Sequence, residues 1–216
     1  MHVKGSIDAI LQREQAEYLE TLLPPSAPLL QEMEDLAAQH RIPIADREVA
    51  LFIEIAARAA GARRALEIGM AIGYSTVIMA QAMGEGSSVV AIEAKDEMIE
   101  RATHFFHRAG VESRIQIARG RALEVLPGME PESFDLVFID ANKREYEAYL
   151  DHTLRLLRSG GVVIVDNLLW RGLIAQGAQD EETEALRRFN QRFVTDGQMR
   201  ALVLPLGDGL GYGVKL

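Results

Sequence analysis

From residue 65 onward, short unbroken apolar runs alternate strictly with stretches that read as helix. No other property of the chain restricts its fold as much. The runs are Ala65–Ile68, Ser88–Ile92, Arg114–Ala118, Phe134–Ile139 and Gly161–Val165. A strand with one wet face alternates apolar and polar residues. These runs are too continuous for that, so they are expected as parallel strands buried on both faces. Between them lie Ser75–Met83, Lys95–Ala109, Arg121–Leu126 and Arg144–Leu157, which supply the crossover helices of βαβ units. After a further helix, Glu181–Val194, the runs Arg200–Leu204 and Gly211–Leu216 flank Gly207-Asp208-Gly209 and predict a terminal antiparallel pair. The expected fold is α/β: a doubly wound, mostly parallel, Rossmann-like sheet of seven strands with helices on both faces.

The first sixty residues contain no convincing strand and predict an N-terminal helical segment. Apolar positions Ile7, Ile10, Leu11, Tyr18 and Leu22 suggest a helix over 6–22, broken at Leu23-Pro24-Pro25. Ser26 is expected to cap a second helix reaching His40, and Asp46 a third, Arg47–Ala60, which Gly61 stops. A length of 216 residues fits one domain, 1–216, with residues 1–60 leading into an α/β core over 61–216.

Composition narrows the chemistry. The chain has no cysteine, which excludes disulfides, thiolate metal sites and thiol catalysis. No apolar run approaches a membrane span and the N-terminus lacks a signal-peptide pattern, so a soluble cytoplasmic protein is expected. A net charge of −9 weighs against nucleic acid as the main partner.

Ligands of such sheets sit beyond the carboxyl ends of the strands. The first strand runs into Glu67-Ile68-Gly69-Met70-Ala71-Ile72-Gly73-Tyr74-Ser75. The spacing is G-x-x-x-G, not the dinucleotide G-x-G-x-x-G, and the acid before it would repel a pyrophosphate. Glu93 ends the second strand 24 residues after Gly69, near the distance at which an acid meets ribose hydroxyls. The set reads as a nucleoside site with a positively charged tail. The fourth strand ends at Asp140 and the fifth at Asp166-Asn167. As adjacent parallel strands they would bring two carboxylates and an amide together, hard oxygen donors that suit Mg²⁺, Mn²⁺ or Ca²⁺.

The segments LEIGMAIGYS, AIEAKDEMIERA, FDLVFIDANK, GGVVIVDNLLWRG and the closing LPLGDGLGYGVKL resemble class I methyltransferases of the caffeoyl-coenzyme A and catechol O-methyltransferase type, over about residues 40–216. The resemblance implies S-adenosyl-L-methionine as methyl donor, with Glu67, Gly69 and Ser75 facing its methionine part, Glu93 its ribose and Ala122 its adenine. It places Asp140 among the donor-binding residues as well as the metal ligands Asp140, Asp166 and Asn167. Lys143 matches the lysine that such enzymes use as general base, so Lys143 and Asp140 are the expected catalytic pair. The sequence departs from the pattern at GMAIGYS, where relatives often read GTFTGYS, and at Arg121, where many carry aspartate.

The implied reaction moves a methyl group onto a hydroxyl of a small phenolic, catechol-like acceptor held by the metal. A tRNA base is the alternative acceptor within the same family. Homodimers are common in this family and one is expected here. The acceptor pocket would draw on the N-terminal helices and on residues 168–179, where Trp170, Arg171 and Asp208 either shape it or serve packing. A nicotinamide-dependent dehydrogenase would need the missing glycine fingerprint and would leave Asp140, Asp166 and Asn167 idle. A non-catalytic module would be free to lose them. His104 and His107 share a charged helix face and are expected to be solvated.

Overall fold

The computed structural model describes residues 13–177 and 180–216. Three helices come first: α1 (Arg13–Thr21), α2 (Pro28–His40) and α3 (Arg47–Ala59). The expected start of the first helix at residue 6 lies outside the described residues. Then strands and helices alternate: β1 (Arg64–Ile68), α4 (Tyr74–Met83), β2 (Ser88–Glu93), α5 (Asp96–Arg108), β3 (Ile115–Arg119), α6 (Ala122–Val125), β4 (Phe134–Ile139), α7 (Tyr146–Leu156), β5 (Leu157–Val165) and α8 (Glu181–Thr195). The chain closes with β6 (Met199–Leu204) and β7 (Leu210–Lys215).

The seven strands form one sheet in the order β3-β2-β1-β4-β5-β7-β6. β3, β2, β1, β4 and β5 pair in parallel, and β7 runs antiparallel to both β5 and β6. The fold is thus the doubly wound α/β sheet that the alternation predicts. Period-two packing explains the unbroken apolar runs. On β4, Leu136 and Phe138 enter a core layer with Val49, Ile53, Val77 and Phe106 from α3, α4 and α5. Their neighbours Val137 and Ile139 enter the opposite layer with Tyr146, Leu150, Phe189 and Phe193 from α7 and α8. α4 is buried at nine of its ten positions, which is why its sequence is apolar all round.

Two local expectations differ. Ser26 does not cap α2: Ala27 holds that position, Pro28 opens the helix, and the Ser26 hydroxyl donates to Glu34 Oε1 at 2.7 Å. Proline at the first turn removes an N–H that would otherwise need a cap. β5 begins four residues earlier than expected, at Leu157, because a register shift against β4 lets residues 158–161 bulge before the apolar run.

Strand order reverses at β1, whose successor β2 lies on one side and β4 on the other. The crossovers leave in opposite directions there and open a crevice above the carboxyl ends. Gly69, Glu93, Asp140 and Asn167 all lie at that edge.

Candidate active site

Beyond β1 the backbone turns at Gly69, whose φ of +96° a side-chain-bearing residue rarely adopts. A Cβ there would overlap the backbone carbonyl of Asp140, so the β1 turn can approach the end of β4 only because residue 69 is glycine. The Gly69 and Met70 N–H groups both donate to Ile92 O, at 3.2 and 3.1 Å, tying the turn to β2.

Glu67 is fully buried beneath this turn and hydrogen-bonded to the hydroxyls of Ser75 and Thr76 in the first turn of α4. Burial pushes its carboxyl up to about 8, the two hydroxyls only partly offsetting it. Glu67 and Ser75 are therefore brought together, but under the cleft and not on its wall. Glu93 is at the mouth. Its Oε2 accepts from Ala71 N and its Oε1 from Ala94 N and Lys95 N, each at 2.9 Å. Ala122 opens α6 at the same end of the cleft.

At the β4 and β5 ends, Asp140 N donates to Ile68 O at 2.9 Å and Asp166 N to Ile139 O at 3.0 Å, so main-chain bonds continue past the strands and align the two acids. Lys143 Nζ donates to Asp140 Oδ1 and to Tyr146 Oη, both at 2.7 Å, and Tyr146 Oη donates to Asp166 O at 3.1 Å. Burial first, and the charge of Asp140 second, push the Asp166 carboxyl up to about 7. Burial and the same two acids hold the Tyr146 phenol well above its ordinary value. Two acids at adjoining strand ends, one of them buried, disfavour each other's charge, which is the electrostatic condition a bound cation would relieve. Among the described residues no three His, Cys, Asp or Glu side chains converge on a metal position. The oxygen set that could hold an ion is Asp140, Asp166 and the amide of Asn167, whose φ of +64° turns the chain just past β5.

Asp140 and Asn167 border a cleft of about 740 Å³, in the range of small-molecule sites, with Asp166 buried behind its wall. Gly69, Ala71, Glu93, Gly120 and Ala122 line one end, and Asp140, Lys143 and Asn167 the centre. Ile42, Pro43 and Ile44, from the α2–α3 connection, also line it, with Trp170, Arg171 and Asp208. Trp170 and Arg171 have φ values of +48° and +54°, strain of the kind that gathers at binding sites. Asp208 holds them: its carboxylate accepts from Arg171 N at 2.6 Å and its carbonyl from Leu169 N at 2.8 Å. A Cβ on the next residue, Gly209, would sit 2.6 Å from Leu169 N, so the two loops meet that closely only with glycine there.

A sequence-family model described as O-methyltransferase matches residues 21–216. The chain belongs to the O-methyltransferase family. It is 38% identical over 154 residues to the catechol O-methyltransferase of Mycobacterium tuberculosis, covering 71% of this chain and 70% of that one. It is 30% identical over 184 residues to a probable caffeoyl-CoA O-methyltransferase of Dictyostelium discoideum, covering 82% and 80%. Among solved structures, an O-methyltransferase from Bacillus cereus in complex with SAH superimposes with a TM-score of 0.83 at 29% identity, over 93% of this chain and 96% of that one. The O-methyltransferase TomG from Streptomyces achromogenes, in complex with SAM, gives 0.82 at 29% identity over 92% and 94%. This chain is an S-adenosylmethionine-dependent O-methyltransferase of the caffeoyl-CoA and catechol type.

Sequence reading of this O-methyltransferase missed one residue of the cleft wall, Glu145, and two outside that wall that bear on its acids, Tyr146 and Asp46. Tyr146, read only as part of a helix, links Lys143 to the Asp166 carbonyl. Asp46 starts α3 as expected but makes no side-chain cap. Its carboxyl is pushed up by burial and by the negative charges of Glu48, Asp208 and Asp140. Glu145 gathers three donors, from Arg121, Asn142 and Tyr149. The i,i+3 spacing of Lys143 and Tyr146 was the available signal. His107 lies on the surface beside Glu112, at 3.2 Å, as the solvated-face reading predicts.

Proposed function

We propose that this O-methyltransferase transfers the methyl group of S-adenosylmethionine to one hydroxyl of a small catechol-like acceptor, a vicinal dihydroxy aromatic held by a divalent ion, Mg²⁺ before Mn²⁺ or Ca²⁺. The observation that carries the reading is the oxygen set Asp140, Asp166 and Asn167 at adjoining strand ends, with Lys143 Nζ 2.7 Å from Asp140 Oδ1. When bound, such an ion would lower the pKa of a coordinated hydroxyl and orient its oxygen. The donor half draws support from the turn at Gly69, the acid Glu93 and the solved relatives that hold SAM and SAH.

The chain's own part is proton management and positioning. Lys143, in its neutral form, takes the acceptor's proton as the oxygen attacks the methyl carbon, and the carbon–sulfur bond breaks to leave a neutral thioether. Asp140 and Tyr146 fix the amine from two sides, which is the positioning a general base needs. Ile42, Pro43, Ile44 and Trp170 give the cleft apolar walls that suit an aromatic ring and exclude water around the sulfonium. No observation favours the tRNA acceptor.

A homodimer in the cytoplasm belongs to the same reading. The dimer is supported by Tyr18 and Leu19 of α1 and by Leu22 just after it, all at least half exposed in the single chain. No described helix is long and apolar enough to cross a membrane.

The test is methyl transfer to a panel of vicinal diphenols, with and without EDTA. Activity should vanish in EDTA and return with Mg²⁺ or Mn²⁺; full activity in EDTA would sink the metal-held acceptor. Light scattering at micromolar concentration should give twice the chain mass, and a monomer would remove the dimer.

A further inference from the structure

The loop after β3 and the loop after β4 belong to strands that do not touch, since β2 and β1 lie between them. They are nevertheless joined across the cleft. Arg121 Nη2 donates to Glu145 Oε1 at 3.0 Å. Asn142 Nδ2 donates to the same oxygen at 3.1 Å, and Tyr149 Oη donates to Oε2 at 2.5 Å. All four residues line the cleft beside Ala122. Arg121 is 66% exposed, so its ion pair contributes little to stability. The Glu145 side chain is only 18% exposed, so a carboxylate has been drawn into the cleft wall and surrounded by donors.

A carboxylate offers about four lone-pair positions. Here Arg121 and Asn142 occupy Oε1 and Tyr149 half of Oε2, which leaves one position on Oε2. The other polar side chains at this end cannot supply an acceptor so readily. Lys95 and Arg121 are donors only, the one lone-pair position that three main-chain N–H groups leave on Glu93 is taken by the ribose in the donor reading, and Asn142 Oδ1 already accepts from Arg144 N at 3.2 Å. A purine with an exocyclic amine presents a donor that needs an acceptor once it is desolvated.

We propose that Glu145 is the residue by which this chain selects a 6-aminopurine in its donor, its free Oε2 lone pair accepting from the exocyclic amine. Arg121 is the positioning residue that holds the carboxylate to the base end of the cleft. The proposal rests on the donor reading above.

The test compares two thioether products by calorimetry on the full chain: S-adenosylhomocysteine and its 6-oxo counterpart, S-inosylhomocysteine. The wild type should prefer the amine by about tenfold or more, the scale of a hydrogen bond to a charged group. Glu145→Gln offers an amide N–H₂ that can face a 6-oxo group, so its preference should fall to near unity. Arg121→Met should narrow the ratio as well, through a looser carboxylate. An adenosyl-to-inosyl ratio unchanged in Glu145→Gln overturns the proposal. Should that variant fail to fold, Arg121→Met is judged by the same criterion, its exposed side chain being removable without loss of core. A wild type that binds neither thioether removes the donor reading itself, and this proposal with it.

Discussion

Glu67→Gln tests the electrostatics under the donor turn. Glu67 is fully buried and its carboxyl is raised from 4.5 to about 8. In the unfolded chain the same group ionises near its ordinary value. Between those two values the native state therefore holds about one proton more than the unfolded state, so stability falls as pH rises. The stabilising contribution is complete below the unfolded value and exhausted near the folded one. From about pH 5.5 to about pH 7.5 the linkage amounts to about 2.5 kcal/mol lost by the wild type, at roughly 1.4 kcal/mol per unit over most of that range. Glutamine keeps the shape, can accept from Ser75 and donate to Thr76, and has no proton to lose. Urea unfolding without ligand at both pH values should show the wild type losing that stability relative to Glu67→Gln. In midpoint terms this is on the order of 1 M urea. Asp166 and the other titrating groups are present in both proteins, so apart from the coupling of Asp140 and Glu93 to Glu67 itself their contributions cancel in the difference. Parallel pH profiles for the two proteins would refute the account of Glu67 as a neutral, buried acid.

The remaining predictions concern the cleft. Glu93→Ala should weaken S-adenosylmethionine binding by about 1–3 kcal/mol, the cost of unpaired polar groups, and unchanged affinity by calorimetry would take Glu93 out of the donor site. Lys143→Ala should lower the transfer rate by roughly 10²–10⁴ while leaving donor affinity intact, with part of the loss recovered at higher pH where the acceptor ionises unaided. A wild-type rate in that variant would exclude Lys143 as the base. Gly69→Ala must either move the Asp140 carbonyl or reshape the turn; it should abolish donor binding, and a variant with normal affinity would show that the close approach of β1 and β4 is dispensable.

Much of the fold was legible in the chain because it is written locally. A strand buried on both faces shows itself in a handful of consecutive residues, and the five parallel strands and the closing antiparallel pair all stand where those runs occur. Glycine turns and strand-end acids are equally local, so Gly69, Glu93, Asp140 and Asp166 could be singled out before any coordinates. Other features were not local. Whether Ser26 or Ala27 begins α2 depended on Glu34, eight residues further on, taking the serine hydroxyl. Asp46 read as a helix cap because nothing near it in sequence announces Asp140 and Asp208.

What the sequence by itself determined is therefore the set of elements and the chemical types at the strand ends. Periodicity, backbone freedom and side-chain charge act within a few residues and leave their mark there. What only the tertiary structure decided is the side each group faces and the company it keeps. Glu67 lies beneath the turn with Ser75 and Thr76, Lys143 is held between Asp140 and Tyr146, and Arg121, after β3, reaches Glu145, after β4, although two strands lie between. Those contacts depend on the strand order and on how the helices pack over it. Both are set by the burial of the whole apolar surface and not by any short stretch of chain.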